Sequence, residues 1–277
     1  MDNRKIVISL FFTVFIDMMG FSIIFPLFPN LLKHFQEIDS TSFSSKILFS
    51  LPAYFSILKE SPYYLVFIGG LISSLYSILQ FLFSPIWGRM SDRLGRKKIL
   101  LFTTFGSMFG YCIWIFSDNF NFFILSRIIT GVMGGNISVA SASMADISSE
   151  KDRAKFMGLT GAGIGLGFIF GPPIGGIIST LSANTSLQNS FPFLTIFPLT
   201  AIIAFLLASI NFLILIFYYR ETLLVKNSTY AKKIHPVLEL KSSSSKELPI
   251  FCLLYFLFTF AFSGFEFSFN FYLSYFF

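Results

Sequence analysis

Long apolar runs separated by short charged segments dominate this sequence. An α-helix rises 1.5 Å per residue, so a helix that crosses about 30 Å of hydrocarbon needs about 20 predominantly apolar residues. Seven stretches meet this requirement, at approximately 6–28, 64–87, 99–117, 120–146, 154–180, 193–219 and 249–275. The pattern therefore predicts an all-α membrane protein with seven transmembrane helices.

Two longer segments divide these helices. Residues 29–63 predict a long external loop, whose apolar part "ILFSLPAYFSIL" is a candidate for lying on the membrane surface. Residues 220–248 are basic and Ser-rich, which predicts a flexible cytoplasmic linker. We therefore expect a six-helix bundle over residues 1–219, the basic linker, and a seventh helix over residues 249–277.

Composition and charge add an orientation to this picture. Of the 277 residues, 54% are hydrophobic and only 12% are charged, about half the share that is usual in soluble domains. Sixteen of the 20 Lys and Arg fall on the side of the predicted helices that carries the amino terminus, and three fall on the other side. Because Lys and Arg concentrate in cytoplasmic loops, we expect a cytoplasmic amino terminus in a plasma membrane, such as a bacterial inner membrane. The net charge of +6 is explained in this way and predicts no binding to nucleic acid.

The segment "GRMSDRLGRKKIL" lies between the second and third predicted helices. A basic loop would explain its cations, but it would not explain their order. Gly88 allows close approach of a neighbouring helix, Gly95 permits a tight turn at positive φ, and Asp92 is placed to cap a helix or to bridge to a neighbour. Such a group of charges and hydrogen bonds predicts a latch that holds a cytoplasmic gate shut. Asp146, at the cytoplasmic end of the fourth helix, is the candidate partner for motif cations such as Arg93.

At this segment the sequence resembles the major facilitator superfamily, whose motif between its second and third helices is G-x-x-x-D-R-x-G-R-K. The matching residues are Gly88, Asp92, Arg93, Gly95, Arg96 and Lys97. The resemblance implies a six-helix bundle of two inverted three-helix repeats, followed by helices of a second half, and transport by alternating access.

The fifth predicted helix is similar to the fifth-helix motif of the drug:proton antiporters with twelve helices, the branch that includes tetracycline and multidrug exporters. The matching residues are Gly163, Gly167, Gly171, Pro172, Pro173, Gly175 and Gly176. Glycines at every fourth position predict one face for close helix packing, although a generic packing seam would also contain them. The two prolines predict a kink. In the family this face packs against the second half, so we expect it to be exposed to lipid in this chain.

Two ionisable residues lie inside predicted helices, at similar depths. Asp17 lies roughly 18 Å from the cytoplasmic edge of the membrane, and Arg127 lies at about the same distance. We expect Asp17 to be a proton or substrate site and Arg127 to tune its protonation, because buried ionisable groups usually have a function in membrane proteins. The alternative is a fixed ion pair that sets the helix packing. Glu266 in the seventh helix is either a second protonatable group or a side chain that reaches toward an interface.

Together these features predict a secondary active transporter, with proton-coupled efflux of small amphiphilic drugs or metabolites. The alternative is a truncated or split fragment that does not transport alone, because the sequence ends after the seventh helix, where the family continues through five more. A small-molecule substrate, protons, the lipid bilayer and a separately encoded second half are the expected partners. The sequence contains no set of catalytic residues and too few Cys and His for a metal site, so we expect neither an enzyme nor a cofactor. The identity of the substrate stays open.

Overall fold

The computed structural model of the protein describes residues 3–38, 42–50, 64–117, 119–182, 196–223 and 247–276. Within these residues the chain forms ten α-helices, a short 3-10 helix and no strand. The helices are α1 (Asn3–Ser22), α2 (Phe28–Ile38), α3 (Phe43–Ser50), α4 (Tyr64–Leu94), α5 (Arg96–Ile115), α6 (Phe120–Met133), α7 (Asn136–Ile147), α8 (Arg153–Ser182), α9 (Ile196–Phe217) and α10 (Glu247–Phe276), and the 3-10 helix is Phe25–Leu27.

Six helical stretches of the described residues are long and apolar enough to cross a membrane. They are Arg4–Gln36, Tyr64–Leu94, Arg96–Ile115, Phe120–Ile147, Arg153–Ile178 and Pro198–Phe217, and they correspond to the first six predicted helices. Helix α10 contains a shorter apolar stretch, Pro249–Phe265, so the seventh transmembrane helix stays a prediction. The chain divides into two compact units, Met1–Lys226 and Asn227–Phe277.

The first helical stretch is longer than the sequence indicated. After the 3-10 helix the chain continues as α2 to Ile38, so the beginning of the predicted external loop is helical. Packing explains the difference, because Leu31, Leu32 and Phe35 on one face of α2 are buried. The ring of Phe35 lies 5.2 Å from the ring of Phe120 at the start of α6. Residues 51–63 lie outside the described residues, so their position at the membrane surface stays a prediction.

The glycine-rich face of α8 packs against α1. A Cβ atom added to Gly167 would lie 2.6 Å from Met18 Cβ and 2.7 Å from the Phe15 carbonyl oxygen, and one added to Gly163 would lie 3.3 Å from the Phe11 carbonyl oxygen. Added Cβ atoms on the next two glycines of this face, Gly171 and Gly175, would meet Ser22 and the Ile23 carbonyl oxygen, respectively. The expectation that this face is exposed to lipid is therefore wrong, because these small residues bring α8 close to a helix of the same bundle.

The two prolines of α8 do not end the helix. Pro172 and Pro173 both lie inside the continuous helix Arg153–Ser182. Gly176, the last glycine of the fifth-helix motif, has no atom within 4 Å of an added Cβ. The motif thus combines a close packing face with a glycine on an open side of the same helix.

The fourth predicted helix consists of two helices, α6 and α7, separated by Gly134 and Gly135. Side chains of α4 bind the carbonyl groups at this interruption: Trp87 Nε1 donates to the Val132 oxygen at 2.6 Å, and Gln80 Nε2 donates to the Gly134 oxygen at 2.9 Å. The last carbonyl groups of a helix lack partners within the helix, so these bonds stabilise the break. It also places Asn136 at the beginning of α7, where its side chain reaches α1.

Candidate transport site

One oxygen of the Asp17 carboxyl group takes part in a buried hydrogen-bond network. Asn136 Nδ2 donates to Asp17 Oδ1 at 3.1 Å, and Thr103 Oγ1 donates to Asn136 Oδ1 at 2.5 Å. Asn136 and Thr103 are fully buried, so the network connects the interiors of α1, α5 and α7. The other oxygen, Asp17 Oδ2, is buried and has no hydrogen-bond partner in the described part of the chain. Asn136 was not expected from the sequence.

Arg127 is surrounded by aromatic rings. Its guanidinium carbon lies 4.5 Å from the ring centroid of Trp114, 5.5 Å from that of Phe123 and 5.8 Å from that of Tyr111. Arg127 Nη2 donates to Ser126 Oγ at 3.3 Å, and Nε has no hydrogen-bond partner among the described residues. Cation–π attraction of about 0.5–2 kcal/mol for each favourable ring therefore helps to hold this buried charge.

Asp17 and Arg127 share neighbours but do not form an ion pair within the described residues. Tyr76 of α4 and Tyr111 of α5 each interact electrostatically with both charges. Tyr111 also lies against α1, since a Cβ atom added to Gly20 would lie 3.0 Å from its hydroxyl oxygen. The alternative of a fixed Asp17–Arg127 ion pair is thus wrong for this structure, and the two charges are related through the tyrosines.

A small recess lies beside Asp17, between α1, α5 and α9. Its lining residues are Ile16, Asp17, Gly20, Thr104, Ser107, Tyr111, Ala204, Ala208 and Asn211. Thr104 Oγ1 and Asn211 Oδ1 are buried and, like Asp17 Oδ2, have no hydrogen-bond partner among the described residues. Three unpartnered polar atoms therefore belong to residues of one recess.

Arg96 is the centre of a second polar network, at the turn between α4 and α5. Its Nη1 lies 2.7 Å from Asp92 Oδ1, and its Nε donates to Asp146 Oδ2 at 2.9 Å. The chain reverses at Gly95, whose φ of 107° confirms the predicted turn at positive φ. Asp146 therefore contacts the motif cation Arg96, where the sequence named Arg93 as the example, because the Gly95 turn directs Arg96 inward. The role of Asp146 in a latch stays a prediction.

Glu221, which follows α9, completes this network and was not expected from the sequence. Its Oε1 accepts a hydrogen bond from the Arg96 backbone nitrogen at 2.9 Å, and its Oε2 accepts one from the Lys97 backbone nitrogen at 3.2 Å. Lys97 Nζ in turn donates to the Ile216 carbonyl oxygen at 2.9 Å. A carboxylate at a helix N-terminus satisfies free N–H groups and interacts favourably with the helix dipole, so Glu221 fastens the start of α5 to the end of α9.

Tyr219 connects the same region to α7. Its hydroxyl donates to Ser143 Oγ at 2.9 Å, and Thr222 Oγ1 donates to Asp146 Oδ2 at 3.5 Å. Burial raises the pKa of Tyr219 to about 12, so the hydroxyl stays protonated and remains a donor at neutral pH. We call Asp92, Arg96, Asp146, Tyr219 and Glu221 the latch network; it joins one end of α4, α5 and α7 to the segment after α9.

Two other predicted site residues, Gly88 and Glu266, lie outside these two networks. Gly88 lies in α4, and a Cβ atom added there would lie 3.1 Å from Ser138 Oγ, which confirms the predicted close approach of helices. Glu266 lies in α10, but its side chain is outside those that the structure describes. The described residues include no group of three or more His, Cys, Asp or Glu that could hold a metal ion.

Six helices long and apolar enough to cross a membrane, with the Asp17 carboxyl group between them and a charged network at the helix ends, are typical of a multi-pass membrane protein. The family model of the Major Facilitator Superfamily matches residues 10–277, and the chain belongs to this superfamily. The predicted family and fold class are confirmed.

Known proteins similar to this chain include transporters and resistance proteins of the same superfamily. Mouse major facilitator superfamily domain-containing protein 10 is 34% identical over 188 residues, which cover 64% of this chain and 40% of the relative. The class B tetracycline resistance protein of Escherichia coli is 31% identical over 259 residues, which cover 92% of this chain and 54% of the relative. The crystal structure of the human organic anion transporter MFSD10 (TETRAN) matches 98% of this chain and 65% of that chain, with a TM-score of 0.77 and 27% identity. The chain spans about half the length of the curated relatives it matches.

Proposed function

We propose that this chain forms part of an antiporter that exports small amphiphilic molecules in exchange for protons. The observation that carries the proposal is the Asp17 carboxyl group, one oxygen of which is hydrogen bonded to Asn136 while the other has no partner among the described residues. One relative is named for tetracycline resistance and one structural neighbour is titled an organic anion transporter. Both names support a small amphiphilic substrate.

In this proposal, proton binding changes how α1 is held against α7. A charged carboxylate accepts a stronger hydrogen bond than a neutral carboxylic acid. When Asp17 takes up a proton, its bond from Asn136 weakens, and Tyr76 and Tyr111, which also interact with Arg127, lose a nearby negative charge. Alternating access needs such a change in the relative stability of two helix arrangements.

We further propose that the latch network lies at the cytoplasmic side and that the amino terminus is cytoplasmic. The support is the distribution of cations, because the starts of α1, α5 and α8 and the segment after α9 all carry Lys or Arg. Single cysteines in a Cys112→Ser, Cys252→Ser background test this orientation. With a membrane-impermeant maleimide, Lys46→Cys should react in intact cells, and Lys98→Cys should react only after permeabilisation. The reverse pattern would contradict the orientation.

Transport by the purified chain in lipid vesicles tests the function. An imposed pH gradient should drive accumulation of tetracycline or of fluorescein, an organic anion, and Asp17→Asn should reduce it at least tenfold because Asn cannot carry the proton. Glu150→Gln, which removes an exposed carboxyl group, is the matched control and should transport normally. Unchanged gradient-driven transport by Asp17→Asn would refute the role of Asp17.

The same assay separates the transporter from the alternative of a fragment. If the unaltered chain accumulates neither probe, transport by this chain alone is contradicted. If accumulation recovers when a separately encoded second half is co-expressed, the chain is one part of a split transporter. If accumulation is still absent, a fragment without activity is favoured.

A further inference from the structure

The recess between α1, α5 and α9 concentrates polar atoms that lack partners. Six buried side-chain N or O atoms have no hydrogen-bond partner in the described part of the chain, and three of them, Asp17 Oδ2, Thr104 Oγ1 and Asn211 Oδ1, belong to residues that line this recess. Thr104 is 1% exposed and Asn211 is 2% exposed, so bulk water does not satisfy them. Since nearly all buried polar groups in proteins are hydrogen bonded, this concentration points to a small polar ligand.

The size and chemistry of the recess define that ligand. The recess is at the lower limit of the space that one water molecule needs, and it is much smaller than the pockets that hold drug-sized molecules. The unpartnered atoms are two acceptors, Asp17 Oδ2 and Asn211 Oδ1, and one hydroxyl group, that of Thr104. A water molecule has two donors and two acceptor positions, so one water can donate to both acceptors and accept from the hydroxyl. The Ser107 and Tyr111 hydroxyl groups can extend the hydrogen-bonded chain.

We propose that this recess binds water and hydronium and that Asp17 exchanges its proton through it, on the side of α1 that faces α5 and α9. The inference rests on the proposed function, in which Asp17 is the proton site. Asp17 Oδ1 already accepts a hydrogen bond from Asn136, so Oδ2 is the oxygen that takes up the proton. An O–H bond of hydronium breaks, an O–H bond forms at Oδ2, and a neutral water remains bound to Thr104 and Asn211. Release is the reverse.

Few other charges face Asp17. Tyr76 of α4 and Tyr111 of α5 interact electrostatically with Asp17 and also with Arg127 of α6, and α7 contributes the uncharged Asn136. Helix α9 contains no ionisable residue, and those of α8 lie in its first turn. The pH dependence of the recess is therefore assigned to Asp17, while Thr104 and Asn211 are positioning residues for the water.

Infrared difference spectroscopy of the purified chain after a pH jump tests the inference without a substrate. The carboxylic acid C=O band of Asp17 is the band that disappears in Asp17→Asn. In Thr104→Val and Asn211→Leu, which keep approximate size but remove polar atoms, we expect proton exchange to slow about tenfold and the C=O band to move to higher frequency. Thr104→Ser, which restores the hydroxyl, should restore both the rate and the band.

Thr160→Val is the matched control, because Thr160 is buried, donates to the Phe156 oxygen of its own helix and does not line the recess. It should leave the rate and the band unchanged. If Thr104→Val and Asn211→Leu, folded by circular dichroism, also keep the rate and the band, the recess is not the proton route. A band that shifts when Na⁺ replaces choline at constant pH would overturn the inference in favour of a metal cation. An Asp17 band missing in the unaltered chain would instead refute the proposed function itself.

Discussion

Replacing Gly167 with alanine should separate α1 from α8 and destabilise the bundle. The added Cβ would lie 2.6 Å from Met18 Cβ and 2.7 Å from the Phe15 carbonyl oxygen, whereas optimal contacts lie at about 3.5–4.0 Å. The helices must therefore move apart by roughly 1 Å at this point. Overpacking of this kind costs about 1–3 kcal/mol. The movement also weakens the 3.1 Å bond from Ser22 Oγ to the Gly167 oxygen, and such bonds in membranes contribute about 0.6 kcal/mol.

Gly165 of the same helix provides the matched control. No atom lies within 4 Å of a Cβ added there, and alanine favours a helix over glycine by up to about 1 kcal/mol. Gly165→Ala should therefore be neutral or stabilising, and the two variants should differ in free energy of unfolding by about 2 kcal/mol or more. Equilibrium unfolding of each purified variant in a detergent–SDS titration, followed by circular dichroism, measures the difference. Equal stability of the two variants would refute the assigned packing of α8 on α1.

Three further predictions concern the latch network and the helix break. Arg96→Lys should lower the free energy of unfolding by about 1–2 kcal/mol, since one ammonium group cannot reproduce the planar contacts to two carboxylates; Lys98→Gln, which alters an exposed cation, should not, and equal losses would contradict the assignment. Glu221→Gln should cost about 0.5 kcal/mol at low salt and less at high salt, because its carboxylate is exposed, and a loss that does not depend on salt would argue against a charge effect. Trp87→Phe removes the donor to the Val132 carbonyl and should therefore increase hydrogen exchange of the amides around the α6–α7 break. Unchanged exchange at these amides would show that Trp87 does not stabilise the break.

Local chemistry made the turn between α4 and α5 predictable. A positive φ favours glycine, so Gly95 marked the position of the turn from the sequence alone. Asp92 is an acid four residues before Arg96, and the structure places these two side chains in an ion pair. The apolar length of the first six helices was predictable for a similar reason, since the bilayer thickness fixes it.

The partners of the functional residues could not be predicted, because they come from distant parts of the chain. Asn136 lies 119 residues after Asp17, and Glu221 lies 125 residues after Arg96. Neither pairing has a local sequence signal. The one available hint is that Glu221 is an acid in a basic segment directly after an apolar helix, a position that favours binding to a cation or to a helix N-terminus. The α6–α7 break depends equally on donors from α4, which only the tertiary packing brings to Gly134.

The glycine-rich helix shows where a correct pattern led to a wrong neighbour. The spacing of Gly163, Gly167 and the later glycines identified a close packing face, and the structure contains one. Periodicity defines which side of a helix carries small residues but not which helix covers it. The family resemblance suggested that the second half covers this face. In the structure, α1 covers it instead.

Because Glu221 holds the backbone at the start of α5, the segment after α9 is connected to the turn between α4 and α5. The same carboxylate accepts a hydrogen bond from the Leu223 backbone nitrogen at 3.1 Å. The chain segment that leaves the bundle is therefore attached at the Gly95 turn. A force on the chain beyond Leu223 would reach α4 and α5 without passing along the length of α9. We therefore expect the segment after α9 and the charged turn to move together.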